Sequence, residues 1–267
     1  MKTDYVHGYS QKEALRLSDQ ARIMEEILHE DTIYPPQSRI LEAGCGVGAQ
    51  TVILAKKSPK SDITSIDISK ESIKHAQTAM DREDIQNVHF EIADLTDLDF
   101  ASESFDHIFV CFVLEHLPHH TVALRELKRV LKKGGTITII EGDHGSCYFH
   151  PESKAGKRVW DCLIKCQKSL GCNPNIGREL FPIMEGAGFK KVEVTPRIVY
   201  VDQSKPQLVD GFIKKTIIAM VDGVKEQALD LELVDEETWE KGIKDLYETT
   251  GPEGTFFYNF FKGVGLK

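Results

Sequence analysis

The chain has 267 residues, 41% hydrophobic and 28% charged, the mixture of a globular protein with enough apolar surface to bury a core. Thirty-three Lys and Arg against 42 Asp and Glu give a net charge of −9, which disfavours general affinity for nucleic-acid backbones. No apolar run approaches the roughly 18–20 residues that span a bilayer, and the polar stretch Met1–Ser10 holds no signal-peptide core. The expectation is a cytoplasmic protein without a membrane or nucleic-acid partner.

In chain order, Ser10 and Glu13 read as a capping box. Leu17, Ala21, Met24 and Leu28 follow at helical spacing, and Pro35-Pro36 closes the helix. Short apolar runs then alternate with helical patterns. Strands are expected at Arg39–Ala43, Asp62–Ile68, Asn87–Ile92, Phe105–Val113 and Thr136–Glu141. Helices are expected at Thr51–Lys57, from the Ser69 cap to about Arg82, and at Pro118–Lys133 before Gly134-Gly135. Strict alternation predicts a parallel sheet with right-handed crossovers.

The second half changes character. Glu152–Leu170 and Arg178–Gly186 read as helices, Phe189–Val201 as a strand that Pro196 places toward an edge, and Gly254–Leu266 as a final strand. Lys205 to about Tyr247 is mainly helical. Between Val221 and Glu253 eleven acidic residues face three basic ones, the pattern of a solvated helical surface. The six cysteines contain no C-x-x-C pair, so free thiols are expected and no metal.

The strongest constellation is Glu42-Ala43-Gly44-Cys45-Gly46-Val47-Gly48. Glycines after a first strand let the chain turn sharply and let a ligand approach the backbone. Gly44, Gly46 and Ala49 also fit a relaxed dinucleotide pattern, so a nicotinamide enzyme stays open at this point. Asp67 ends the second strand, where a carboxylate can accept both hydroxyls of a ribose. Asp94, just after the third strand, is placed to accept from an exocyclic adenine amine, and the pair favours an adenosine other than NAD.

With Phe105-Asp106, Leu114-Glu115-His116-Leu117 and Lys132-Lys133-Gly134-Gly135, the stretch Ser38–Asp143 resembles the class I S-adenosyl-L-methionine-dependent methyltransferases of small-molecule type. The resemblance implies an α/β, doubly wound, Rossmann-like sheet of seven strands. Its last strand is antiparallel and lies between strands five and six. It implies a single domain over 1–267, with an N-terminal helical cover (1–34), a cofactor core (38–143) and a helical cap inserted between strands six and seven (205–250). Gly44 and Gly46 should line the methionine portion of S-adenosyl-L-methionine, within a loop that includes Glu42 and Ala43. Asp67 and Ile68 should meet the ribose side, and Asp94 with Leu95 the adenine. Backbone at Cys111 and Phe112 should meet the amino end, while Tyr9 and Arg16 are candidates on the covering helix, Arg16 for the methionine carboxylate.

Methyl transfer asks the protein to align the reactants and exclude water, and sometimes to supply a base. His116, Asp143 and His144 are the candidates for that base, and Tyr148, Asn175 and Arg178 for the acceptor pocket. The function expected is methyl transfer to an O or N nucleophile of a small molecule by a monomer or homodimer. The alternatives are an NAD(P)-dependent oxidoreductase and an S-adenosylmethionine-binding protein without transferase activity.

Overall fold

Strand β1 (Arg39–Ala43) lies inside the sheet, paired in parallel with β2 (Asp62–Asp67) on one side and β4 (Phe105–Cys111) on the other. Four of its five residues are buried, which is why Arg-Ile-Leu-Glu-Ala reads as a nearly continuous apolar run. The computed structural model describes residues 11–267, with side chains from Arg16 onward. The Ser10–Glu13 capping box and Tyr9 therefore lie outside the described residues or side chains.

Helix α1 (Gln11–His29) leads into β1, and α2 (Ala49–Lys57) and α3 (Lys70–Arg82) follow β1 and β2. The Ser69 side chain caps α3 by accepting from the Ser72 N–H. Strand β3 (Val88–Ile92) pairs in parallel with β2, and α4 (His120–Val130) buries Ala123, Leu124, Leu127 and Val130 on one face.

The helix expected to reach Lys133 stops at Val130, because β5 (Leu131–Gly142) begins there. Its pairing with β4 shifts register between Leu131 and Thr136, across Gly134 at φ 78°. The glycine pair builds a strand irregularity within β5 and does not end the helix.

Strand β6 (Tyr148–His150), helix α5 (Lys154–Ser169), helix α6 (Leu180–Gly186), strand β7 (Lys190–Val201) and strand β8 (Thr255–Leu266) complete the named elements. β8 runs antiparallel to β5, β6 and β7. Phe256 and Phe257 pair with both β6 and β7, and Phe260 to Val264 pair with both β5 and β7. β5 and β6 therefore share one edge of β8, and β7 takes the other. The order runs 3-2-1-4-5-8, with β7 beyond β8, the seven-strand plan expected, and the three-residue β6 makes the sheet eight-stranded. Pro196 indeed falls on an outer strand, since β7 pairs with β8 alone.

The segment between β7 and β8 is helical in pieces, chiefly Val209–Ile218, which winds as a π-helix, Lys225–Asp230 and Glu236–Glu248. The Thr216 hydroxyl donates to the Gly211 carbonyl, five residues back, and supports the wider winding. Phe212, Ile213, Ile217, Trp239 and Leu246 are all buried in one cluster with β8, β7 and α5. Phe212 packs edge-on to Phe256, Tyr258 and Phe260 of β8. A Cβ at Gly211 would stand 1.8 Å from Ile23 Cδ1, so any larger residue there would require the Ile23 side chain of α1 to move. Cys162 and Cys166 are core residues of α5. Among the described residues no helix is long and apolar enough to cross a membrane.

Candidate active site

Gly44, Gly46 and Gly48 all have positive φ (75°, 52° and 82°), but they do different work. A Cβ on Gly44 would stand 2.6 Å from Val113 Cγ2, and one on Gly48 2.9 Å from the backbone of Ala76 in α3. These two glycines let neighbouring elements close on the loop. A Cβ on Gly46 would meet nothing within 4 Å, so Gly46 fronts open space. Beneath the loop Glu42 is buried, accepts from Ser65 Oγ at 2.6 Å, and is pushed up to about 7, chiefly by burial. Glu42 supports the loop from below, and the Ala43 side chain is core.

Asp67 Oδ2 accepts from the Gly46 N–H and Oδ1 from the Ser69 N–H, both at 2.8 Å. Burial raises its pKa while these backbone donors pull it down. The Ile68 backbone N–H adds to these donors, and the roughly four lone-pair sites of the carboxylate still leave room for a hydroxyl donor. Ile68 beside it is 61% exposed, an apolar side chain left in water at the sheet's ligand edge. Asp94 is exposed and accepts from Thr96 N and Oγ1 through Oδ1, a turn-forming contact, while Leu95 is buried. Open space at Gly46, a carboxylate at Asp67 and bare apolar surface at Ile68 fit the adenosine and methionine parts of the expected cofactor.

The end of β4 closes the other side. Cys111 is buried, and Phe112 takes φ 58°, a left-handed conformation that costs a bulky residue about 1–3 kcal/mol. Its N–H bonds the Ile140 carbonyl, and the next two N–H groups, of Val113 and Leu114, donate to Glu141 Oε1 at 3.0 and 2.7 Å. Arg16, half-buried on α1, donates to Gln20 of the same helix.

After β5 the proposed base residues separate. Asp143 is held by Arg178 through three hydrogen bonds of 2.7–3.0 Å and its side chain is 3% exposed. Asn175 Oδ1 accepts from the Gly145 N–H, so Asn175 and Arg178 both tie the 173–178 loop to the turn after β5. His116 faces Glu115 at 3.6 Å. Tyr148 is 67% exposed on β6, with its ring near Phe257.

His144 is different. Its imidazole is buried, with Nδ1 2.6 Å from the Tyr258 hydroxyl and Nε2 without a partner among the described residues. Trp160 Nε1 donates to its carbonyl at 2.8 Å. Burial lowers the imidazole pKa and raises that of the Tyr258 phenol, so both are neutral near pH 7.

Tyr258, Val113 and Glu141 escape the sequence reading. Tyr258 is one aromatic among several in β8, with its partner on a distant turn. A carboxylate inside the otherwise apolar run Thr136–Gly142 is the one signal that marks Glu141.

Residues 41–139 match the family described as Methyltransferase domain. An uncharacterized methyltransferase of Schizosaccharomyces pombe is 33% identical over 151 residues, 53% of each chain. The chain thus spans about half the length of the curated relatives it matches. The Bacillus subtilis YcgJ protein superposes with TM-score 0.57 at 17% identity, over 93% of this chain and 97% of that one. Haemonchus contortus phosphoethanolamine N-methyltransferase 2, solved with phosphomonomethylethanolamine and S-adenosylhomocysteine, gives TM-score 0.56 at 16% identity, over 93% of this chain and 52% of that one. The sheet order and the glycine loop give the chain the Rossmann-like methyltransferase fold, and within it the stretch 41–139 matches the methyltransferase-domain family.

Proposed function

We propose that the protein binds S-adenosyl-L-methionine across Gly46, Asp67 and Ile68 and transfers its methyl group to an oxygen or nitrogen nucleophile of a small molecule. His144 is the general base. The observation that carries this is the buried His144–Tyr258 pair, with Nε2 unpartnered among the described residues.

The bound cofactor supplies an already activated methyl group. The chain's own residues orient the acceptor, exclude water and remove a proton. In the tautomer whose Nδ1–H donates to the Tyr258 oxygen, the Nε2 lone pair is left to take the acceptor's proton. Helix α1 and the segment 205–250 act as cover and cap. The Ile23–Gly211 contact and the Phe212 packing on β8 support that role.

Calorimetry with S-adenosylhomocysteine, S-adenosylmethionine, NAD and NADP tests the cofactor, and product formation with a panel of phenols, alcohols and amines tests the reaction. Binding of the first two and methylation of an O or N acceptor are expected. Preferential nicotinamide binding, or transfer only to carbon acceptors, overturns the reading.

A further inference from the structure

We propose that Glu141 is a positioning residue for the cofactor site, fixing the turn after β4 and, through Val113, the glycine loop. Its role is indirect, through the backbone it holds, and the inference rests on the cofactor reading above.

Glu141 is fully buried near the end of β5. Its Oε1 accepts from two successive backbone N–H groups, Val113 at 3.0 Å and Leu114 at 2.7 Å, while Oε2 has no partner among the described residues. Those N–H groups belong to Val113, in the short turn after β4, and to Leu114, the first residue of the 3-10 helix Leu114–His116, where neither a strand ladder nor the helix itself satisfies them. The residue just before them is Phe112, held at φ 58°. A conformation of that kind persists only where its surroundings over-determine it. Ile140 O grips Phe112 on one side and Glu141 grips Val113 and Leu114 on the other, both from β5.

The turn then acts on the loop. Val113 is buried, and its Cγ2 and Cγ1 lie 2.6 and 2.9 Å from where a Cβ on Gly44 would stand. Gly44 donates its own N–H to Ile66 O, one residue before Asp67. One carboxylate in β5 therefore sets the backbone at the end of β4, and that backbone's first side chain sets the glycine loop at the end of β1. A glutamine at position 141 keeps a carbonyl oxygen for the two donors, and an alanine strands them in a buried site. Burial pushes the Glu141 carboxyl well above its usual range, so the amide is also a fair match in charge.

The experiment compares wild type, Glu141→Gln, Glu141→Ala and Val113→Ala by two readouts. Hydrogen exchange on the cofactor-free proteins should show the Val113 and Leu114 amides protected in wild type and Glu141→Gln, and at least tenfold less protected in Glu141→Ala. Calorimetry with S-adenosylhomocysteine, well below each unfolding midpoint, should show Kd raised at least tenfold in Glu141→Ala and at least threefold in Val113→Ala. Glu141→Gln should stay within threefold. If Glu141→Ala does not fold, the comparison of Val113→Ala with Glu141→Gln decides alone. Tight binding by Glu141→Ala, or by Val113→Ala where Glu141→Ala does not fold, overturns the proposal, as does weakened binding by Glu141→Gln equal to that of the alanine. A wild-type protein that does not bind S-adenosylhomocysteine overturns the cofactor reading itself, and this proposal with it.

Discussion

Tyr258 Oη stands 2.6 Å from His144 Nδ1, joining β8 to the turn that follows β5. Replacing His144 by alanine removes the proposed base and leaves the glycine loop untouched. We expect kcat to fall by roughly 10²–10⁴-fold, with S-adenosylhomocysteine affinity unchanged, measured by single-turnover methylation and calorimetry. Burial holds the imidazole below its ordinary 6.5, so the base form persists into mild acid and the acid limb of kcat should lie below pH 6.5. An acid limb that persists unchanged in the variant, or a kcat that does not fall, would remove His144 from the role.

Gly44 and Gly46 should respond oppositely to alanine. At Gly44 the new Cβ overlaps Val113 and must hold φ 75°, a loss of roughly 2–5 kcal/mol in folding stability. At Gly46 the new Cβ meets nothing, and only the left-handed backbone costs, about 1–2 kcal/mol. Gly46→Ala should nevertheless lose cofactor affinity, because its methyl occupies the space the ligand needs. Urea unfolding beside calorimetry separates the two effects.

Arg178→Ala should destabilise the turn after β5. It leaves Asp143, 3% exposed, without its counter-charge. The loss should be about 2–3 kcal/mol, under the roughly 3–5 of a fully buried pair because Arg178 is itself 47% exposed. The double variant Asp143→Asn with Arg178→Met should recover part of it. A loss in the single variant that the double variant does not reduce would point to packing rather than charge.

His29 gives a pH signature. Burial lowers it from 6.5 to about 4, against the hydrogen bond His29 Nε2–H donates to Gln50 Oε1 and the field of Asp31, and with that of Lys262 and Lys57. The unfolded chain takes up this proton first, so the contribution is whole above pH 6.5 and is lost as pH falls toward 4, up to about 3 kcal/mol. Glu42, raised to about 7, acts with the opposite sign, stabilising the fold at low pH and losing that contribution as pH rises from its ordinary 4.5 to about 7. The difference between wild type and His29→Leu in denaturant unfolding at pH 7 and pH 4.5 isolates the histidine. A difference independent of pH would mean His29 is not buried neutral.

The half of the fold that repeats strand and helix was legible because each element carries its own signal. Periodicity marks α4, Ser69 marks the start of α3, and glycines mark the loop after β1. The strands β7 and β8 were legible from their apolar runs, but not their partners. β6 was invisible because three residues, Tyr148–His150, are too few for alternation to show, and their place is set by β8. The site divides in the same way. Asp67 and Gly46 are close to one another through adjacent strand ends, whereas Tyr258 and Glu141 act through tertiary partners that local spacing does not record. Asn175 and Arg178 show the converse: polar groups in a loop, read as acceptor contacts, bond the neighbouring turn in the structure.

The placing of β8 has a consequence for biosynthesis. It holds β5, β6 and β7 together, yet it is made after all three and after the whole helical segment that packs on it. While a ribosome is still adding residues before Thr255, β5 is an open edge, and Phe212, Trp239 and their neighbours lack the aromatic face of Phe256, Tyr258 and Phe260. An emerging chain of that length offers an unpaired strand beside uncovered apolar side chains, the combination that chaperones hold and that aggregates when they do not. Ribosome pausing within that interval would prolong the exposure, and only the emergence of β8 from the ribosome ends it.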